Sequence, residues 1–336
     1  SNQYVTIGGK LPDGSWNVNA LTALILQAAR ESGVPQPEIN VRIGVDAPAQ
    51  FKRDVAETML VCGHKVQLWN EEVMLRCLRE LYPGIAAEDV PNYCFTACNR
   101  IALPPREAAF YTGTELWFVL PQLMLEALPP RADSFEEVVA AVERAIAADT
   151  ARQCRGWTER TREQPPAYHF ESLFVSGCRQ RLRDVTDDGP EYNTLYFLFG
   201  GLATVVDSLC AIDYLVFRER RIGYGALLEA VRGNFAGQEE LRQQLLHRPP
   251  KYGNGDPAAD ALTARLSRFI LDGARTLTPE DGYLKFPAIY TLYNQVSWGA
   301  QLGATPDGRR AGEPISENES PVRGMDTHGL TALLRS

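Results

Sequence analysis

The apolar positions of the chain change period several times, and each change marks an element. Residues Asn2 to Gly9 read as a strand, Asp13-Gly14 as a polar turn, and Leu21 to Ala29, apolar on a helical period, as a helix. Pro35-Gln36-Pro37 closes that helix, because proline lacks a backbone donor and restricts the residue before it. Ile39 to Ile43 then alternates as a short strand, and helical spacing predicts two further helices over about 51–62 and 70–82. A longer helix is predicted from Ser134, where Ser134 and Glu137 have capping-box spacing and Val138, Val139, Val142, Ala145 and Ile146 form an apolar stripe; it is expected to end near Arg152.

The polar, proline-containing stretch Arg155 to Tyr168 is the best candidate for a linker or exposed excursion. From Leu195 to Phe217 the chain is largely apolar and must be buried on most sides, so Thr204, Asp207, Ser208 and Asp213 need partners there. Helices are predicted near 224–233 and 257–276, on either side of a polar, glycine-rich segment at 248–257. The region Gly299 to Gly324 reads as loop, and no repeat or low-complexity tract occurs.

Of the 336 residues, 45% are hydrophobic and 23% charged, which supplies a core and excludes bulk disorder. The 42 acidic against 34 basic residues give a net charge of −8, which argues against a nucleic-acid partner held by phosphate neutralisation. No run of about 18 apolar residues occurs and the N-terminus lacks a signal pattern, so a cytoplasmic protein without a membrane partner is expected. Seven scattered cysteines, an odd number, fit free thiols better than a disulfide framework; no C-x-x-C pair occurs and the four histidines lack zinc-ligand spacing, so no metal is expected.

Nucleotide-cradling glycine motifs and the familiar hydrolase motifs are absent. Gly8-Gly9 reads as a tight turn requiring positive φ. The segment Asn92 to Pro105 mixes apolar and small polar residues between prolines and looks like a loop reaching into a core. Cys98 within it is readable as a small buried hydrophobe or as a reactive thiol, and Arg100 two residues on adds a cation that could favour a thiolate or hold an anion.

An ordered set of segments resembles the central part of a glycyl radical enzyme of the pyruvate formate-lyase and glycerol dehydratase group. The set comprises Asn2 to Gly9 with Asn19 to Thr22, Pro35 to Pro37 with Val41-Arg42, the Cys98 loop, Val206 to Ile212, and Leu215 to Phe217. It continues with Pro250 to Asn254, Asp256 and Asp260, then Gly303 to Pro314, Ser320-Pro321 and Gly324. The resemblance implies an α/β fold, a partial ten-stranded barrel of two antiparallel half-sheets with surrounding helices, expected to form one domain over residues 1–336. The family's N-terminal helical part and C-terminal glycyl radical domain are expected to lie outside it.

By resemblance Cys98 is the thiyl residue that abstracts hydrogen from substrate, with Arg100, Asn99, Tyr290 and Tyr293 as substrate contacts, while Cys94 packs. No cofactor is bound; the radical resides on a glycine of a segment absent here and is installed by a radical-SAM activase. A thiyl radical requires one-electron oxidation of the thiol by a partner radical, so this chain alone is expected to be inactive. The expected partners are a small-molecule substrate, the activase and a separate glycyl radical subunit, and exposed apolar surface or an open sheet edge would also invite a homodimer.

Three positions depart from the family pattern. Dehydrating members carry a glutamate where Arg100 stands, and arginine cannot accept a proton. The position of the diol-binding aspartate falls near Tyr111-Thr112, without a carboxylate, and Cys98 is followed by Asn99 rather than a second cysteine. The sharper reading is therefore a carbon-radical cleavage or addition on a small carboxylate, sulfonate or phosphate held by Arg100 beside Cys98. In an alternative for that one residue, Arg100 pairs with a protein carboxylate such as Glu107. The other reading of the whole chain is a non-catalytic remnant or scaffold of the same fold that binds an anion or a partner chain.

Overall fold

A computed structural model describes residues 3–97, 100–107, 115–163, 169–277 and 282–336. In chain order its first elements are β1 (Tyr4–Gly8), α1 (Ala20–Ser32), β2 (Glu38–Ile43), α2 (Ala49–Cys62), β3 (Val66–Asn70), α3 (Glu71–Leu81), β4 (Cys94–Phe95), β5 (Ile101–Ala102) and β6 (Glu115–Val119). There follow α4 (Leu120–Ala127), α5 (Phe135–Glu163), α6 (Cys178–Arg181), β7 (Thr194–Gly200), α7 (Leu202–Ile212), α8 (Tyr224–Arg232) and α9 (Glu239–His247). The last are α10 (Pro257–Thr276), β8 (Leu284–Ile289), α11 (Gln295–Gln301) and α12 (Leu330–Leu333). They fall into two compact units. The first comprises Ser1–Thr112, Pro165–Thr194 and Gly282–Leu284, the second Gly113–Gln164, Leu195–Asp281 and Lys285–Ser336.

In the first unit β2 lies between β1 and β3 in a parallel sheet, with Ile7 opposite Val41 and Val41 opposite Leu68. Ile39 and Val41 are fully buried with Leu26 of α1 and Phe51 and Val55 of α2, so the crossover helices supply the core that a parallel strand needs. Asn19 starts α1 by accepting from the backbone of Leu21 and Thr22, and Gly33 ends it with φ +62°. The expected strands and helices are present here. Strand β3 was not expected: only five residues long, it carries the exposed Leu68 and is an edge strand with a weak pattern of its own.

The second unit is built on the sheet β6-β7-β8. Strands β6 and β7 run parallel, and Phe118 stacks on Phe199 at 4.5 Å between ring centroids. Every residue of α7 is buried, which satisfies the apolar run as a strand followed by a helix rather than one element. A turn of π-helix, Asp213–Arg218, continues α7. Helix α9, in a polar stretch, was also not anticipated, and only Leu245 of its residues is buried.

Helix α5 overturns one expectation. It continues past Arg152 to Glu163, so the first half of the proposed linker is helical. Cys154 and Trp157 stay buried while Arg155 and Glu159 face outward, so the polar residues there are one side of a helix. Residues 164–168, which hold Pro165-Pro166, lie outside the described residues. The predicted cap is shifted: the Ser134 hydroxyl accepts from the Glu137 backbone, but the Glu137 carboxylate accepts from the backbone of Asp133. Arg265 of α10 ties that helix to α5 through Glu136 and Glu143.

Among the described residues the strands form two three-stranded sheets and one short hairpin and close into no barrel; three strands fall well short of what closure requires. The α/β architecture holds at that coarser level. Among the described residues no helix is long and apolar enough to cross a membrane.

Candidate active site

The segment singled out by Cys98 is a β-hairpin of the first unit. Strands β4 and β5 pair antiparallel, Cys94 opposite Ala102 and Phe95 opposite Ile101, and the Thr96 backbone donates to the Arg100 carbonyl at 3.0 Å. Cys98 and Asn99 sit in sequence between those two residues and lie outside the described residues, as do Tyr111 and Thr112. Arg100 is half-buried and leads into β5. Cys94 faces inward; burial pushes its thiol up to about 11, with the nearby Glu107 carboxylate adding to the rise, so it stays protonated as a packing residue should.

The hairpin is gripped from behind. Arg42 is buried in β2, and its Nε donates to Glu71 Oε2 at 2.9 Å while Nη2 donates to Oε1 at 2.5 Å. Its Nη1 donates to the carbonyls of Pro91 (3.0 Å) and Tyr93 (2.8 Å), the residues leading into β4. The guanidinium lies 3.8 Å from the Tyr93 ring centroid, and the Tyr93 hydroxyl donates to Glu71 Oε2 at 2.7 Å. Burial alone would raise the Glu71 carboxyl, but Arg42, the Lys10 backbone and the Tyr93 hydroxyl together outweigh it and hold the group below its ordinary value. Burial pushes the Tyr93 phenol upward, so it remains a donor.

Gly8 and Gly9 make this packing feasible. Both have positive φ, and a Cβ on Gly8 would overlap the Arg42 carbonyl while one on Gly9 would overlap its guanidinium. Phe95 is clamped by Trp69, stacked at 4.0 Å, and by Thr6, whose hydroxyl accepts from the Phe95 backbone at 2.9 Å. The chain beyond β5 is fixed as well. Glu107 accepts from the Leu103 backbone at 2.9 Å and from the Thr194 hydroxyl, and Tyr192 donates to Asp89 at 2.6 Å.

The two tyrosines expected at the substrate belong to the second unit. Tyr290 directly follows β8, half-buried, with its ring 6.3 Å from that of Trp117, which in turn meets Trp298 at 5.7 Å. Tyr293, in the turn before α11, is 74% exposed. Asp207 and Ser208 make the helix-to-loop and local bonds expected of polar residues in an apolar helix. Asp207 Oδ1 accepts from the Tyr252 backbone at 2.9 Å, and the Ser208 hydroxyl donates to the Thr204 carbonyl at 2.6 Å. The Asp307-Gly308 turn has Gly308 at φ +97°, as its sequence suggested.

Sequence reasoning missed Glu71 and Tyr93. The available signal was Arg42 itself, a charged residue inside a short strand that both flanking helices bury.

The sequence pattern of the pyruvate formate lyase-like family matches residues 1–299. Among curated proteins the chain is 32% identical to isethionate sulfite-lyase of Bilophila wadsworthia, over 99% of this chain and 42% of that protein. Among solved structures it superposes on a glycyl radical enzyme of Archaeoglobus fulgidus with a TM-score of 0.88 and 28% identity, covering 99% of this chain and 44% of the other. It superposes on the glycerol-bound form of the B12-independent glycerol dehydratase of Clostridium butyricum with a TM-score of 0.90 and 26% identity, again over 99% and 44%. The chain thus spans less than half the length of the relatives it matches.

Proposed function

The chain belongs to the pyruvate formate lyase-like family, and on that premise we propose that it carries the thiyl half of a glycyl radical lyase acting on a small anionic substrate. The supporting observation is the hairpin: Cys98 and Asn99 are bracketed by two paired strands whose approach is fixed by a buried ion pair, with Arg100 two residues beyond the thiol. In this reading a sulfur radical at Cys98 takes a hydrogen atom from substrate carbon. The C–H bond breaks, an S–H bond forms, and the unpaired electron passes to carbon, where it weakens the bond to the leaving group. The radical itself comes from a glycine outside these 336 residues, installed by a radical-SAM activase.

Arg100 sets the substrate class. A guanidinium cannot act as a base, which disfavours dehydration by proton transfer at this position, but its planar donors suit a carboxylate, sulfonate or phosphate. Isethionate, the substrate named for the Bilophila relative, carries such a sulfonate. Asn99, Tyr290 and Tyr293 are assigned to the remainder of the substrate surface.

The test is anaerobic reconstitution with an activase and a polypeptide carrying the family's radical glycine. We expect a glycyl doublet in electron paramagnetic resonance and cleavage of isethionate or a related sulfonate, abolished by Cys98→Ala. Arg100→Gln should raise KM by about 10- to 100-fold, the loss of one charge-assisted contact. A doublet that forms while Cys98→Ala leaves turnover intact overturns the reading. The absence of any doublet or turnover favours a scaffold that retains only the fold.

A further inference from the structure

The buried Arg42–Glu71–Tyr93 cluster is more than the fold of the first unit needs. Buried ion pairs seldom add stability over a well-packed apolar replacement, because desolvation consumes most of the attraction. What they add is directional constraint. Four N–H bonds leave the Arg42 guanidinium: two to one carboxylate, one each to the carbonyls of Pro91 and Tyr93. The carboxylate is itself fixed by the Tyr93 hydroxyl and by the backbone N–H of Lys10. The segment entering β4 is thereby held at two carbonyls, one ring face and one hydroxyl.

From that anchor the constraint runs forward to the two residues, Thr96 and Arg100, that end the paired strands. Tyr93 precedes β4, Phe95 within β4 is held by Trp69 and Thr6, and the Thr96–Arg100 bond joins the two strand ends between which Cys98 and Asn99 fall in sequence. Hydrogen-atom transfer requires contact between sulfur and carbon, and misplacement by about 1 Å can cost about 100-fold in rate. We infer that Arg42, locked by Glu71 and Tyr93, is a positioning residue that fixes the strand leading to Cys98, and through it the reactivity of that thiol. The inference rests on the proposed role of Cys98. Lysine could not replace it, since an ammonium lacks the fork that serves a carboxylate and two carbonyls together.

The test measures hairpin geometry independently of radical chemistry. Alkylation of Cys98 by iodoacetamide is followed by peptide mass spectrometry in the folded chain, with Cys154 and Cys210 of the second unit as internal references. Arg42→Lys, Glu71→Gln and Tyr93→Phe are compared with Arg265→Ala, a loss of ion pairs elsewhere, each assayed equally far below its own melting temperature. We expect Arg42→Lys and Glu71→Gln to change the Cys98 rate tenfold or more, Tyr93→Phe about threefold, and Arg265→Ala not at all. Rates within twofold of the parent in all three cluster variants overturn the inference. Should Arg42→Lys fail to fold, Tyr93→Phe, which keeps the ion pair, decides. A reconstitution that yields no radical while these rates shift locates the failure in the proposed chemistry rather than in the positioning.

Discussion

Asp207 shows how one atom's surroundings set a measurable property. Its side chain is fully buried in α7, Oδ1 accepts from Tyr252, and Oδ2 has no hydrogen-bond partner among the described residues. Burial pushes its carboxyl up to about 7, against the opposing pull of the Lys251 ammonium. A carboxyl raised on folding binds its proton more tightly in the folded chain, so its contribution to stability is full at acid pH and declines as pH rises from about 4 to about 7. Asp207→Asn removes that decline. Urea unfolding at pH 4.5 and pH 8 should show the variant gaining on the parent by about 2–4 kcal/mol between the two pH values. A gap independent of pH would mean that the carboxyl is ionised throughout.

At the scale of elements, the 169–186 segment of the first unit is organised by one carboxylate. Asp184 accepts from the His169 backbone and ring, the Ser172 hydroxyl, and the Thr186 backbone and hydroxyl. Burial opposes its charge, but those donors hold the carboxyl well below the usual range. The sign is opposite to that of Asp207: this stability is present above the ordinary aspartate pKa and is lost as pH falls below it. Asp184→Asn should cost about 2–3 kcal/mol near neutrality, with the deficit shrinking below about pH 4, where the carboxylate of the unfolded parent takes up a proton while that of the folded chain stays charged. Denaturant titrations across that range check it, and an undiminished deficit at pH 3 would count against the account.

The same scale shows what one-dimensional patterns miss. Long elements with an apolar stripe or a clear cap, such as α1, α5 and α10, are legible, whereas β3 and α9 are short and mostly exposed, so little in their composition sets them apart. The end of α5 was misread because a polar run looks like a loop until two buried side chains, Cys154 and Trp157, are seen to keep the helical period.

For the whole molecule, the telling surface is where apolar side chains remain outside. Phe170, Phe174 and Leu182 are 71%, 66% and 91% exposed, and the first two rings meet edge-on at 5.1 Å on the segment that Asp184 holds in place. A fixed, exposed aromatic pair favours association. Phe170→Ser with Phe174→Ser should reduce concentration-dependent light scattering of the chain, with little change in unfolding midpoint because neither ring is buried. Unchanged scattering would place the association elsewhere.

What the sequence by itself determined is the α/β class, most of the helices and the family, because these rest on hydrophobic period and on ordered local motifs that survive without neighbours. It also marked Cys98, Arg100, Tyr290 and Tyr293, whose roles stand as proposals. The grouping of Arg42, Glu71 and Tyr93 was decided only by the tertiary structure. Their meeting depends on β2, the start of α3 and the approach to β4 converging on one point beneath Gly8 and Gly9. No local pattern encodes such a meeting, since a charge buried on one strand becomes tolerable only when a distant segment brings the opposite charge to it.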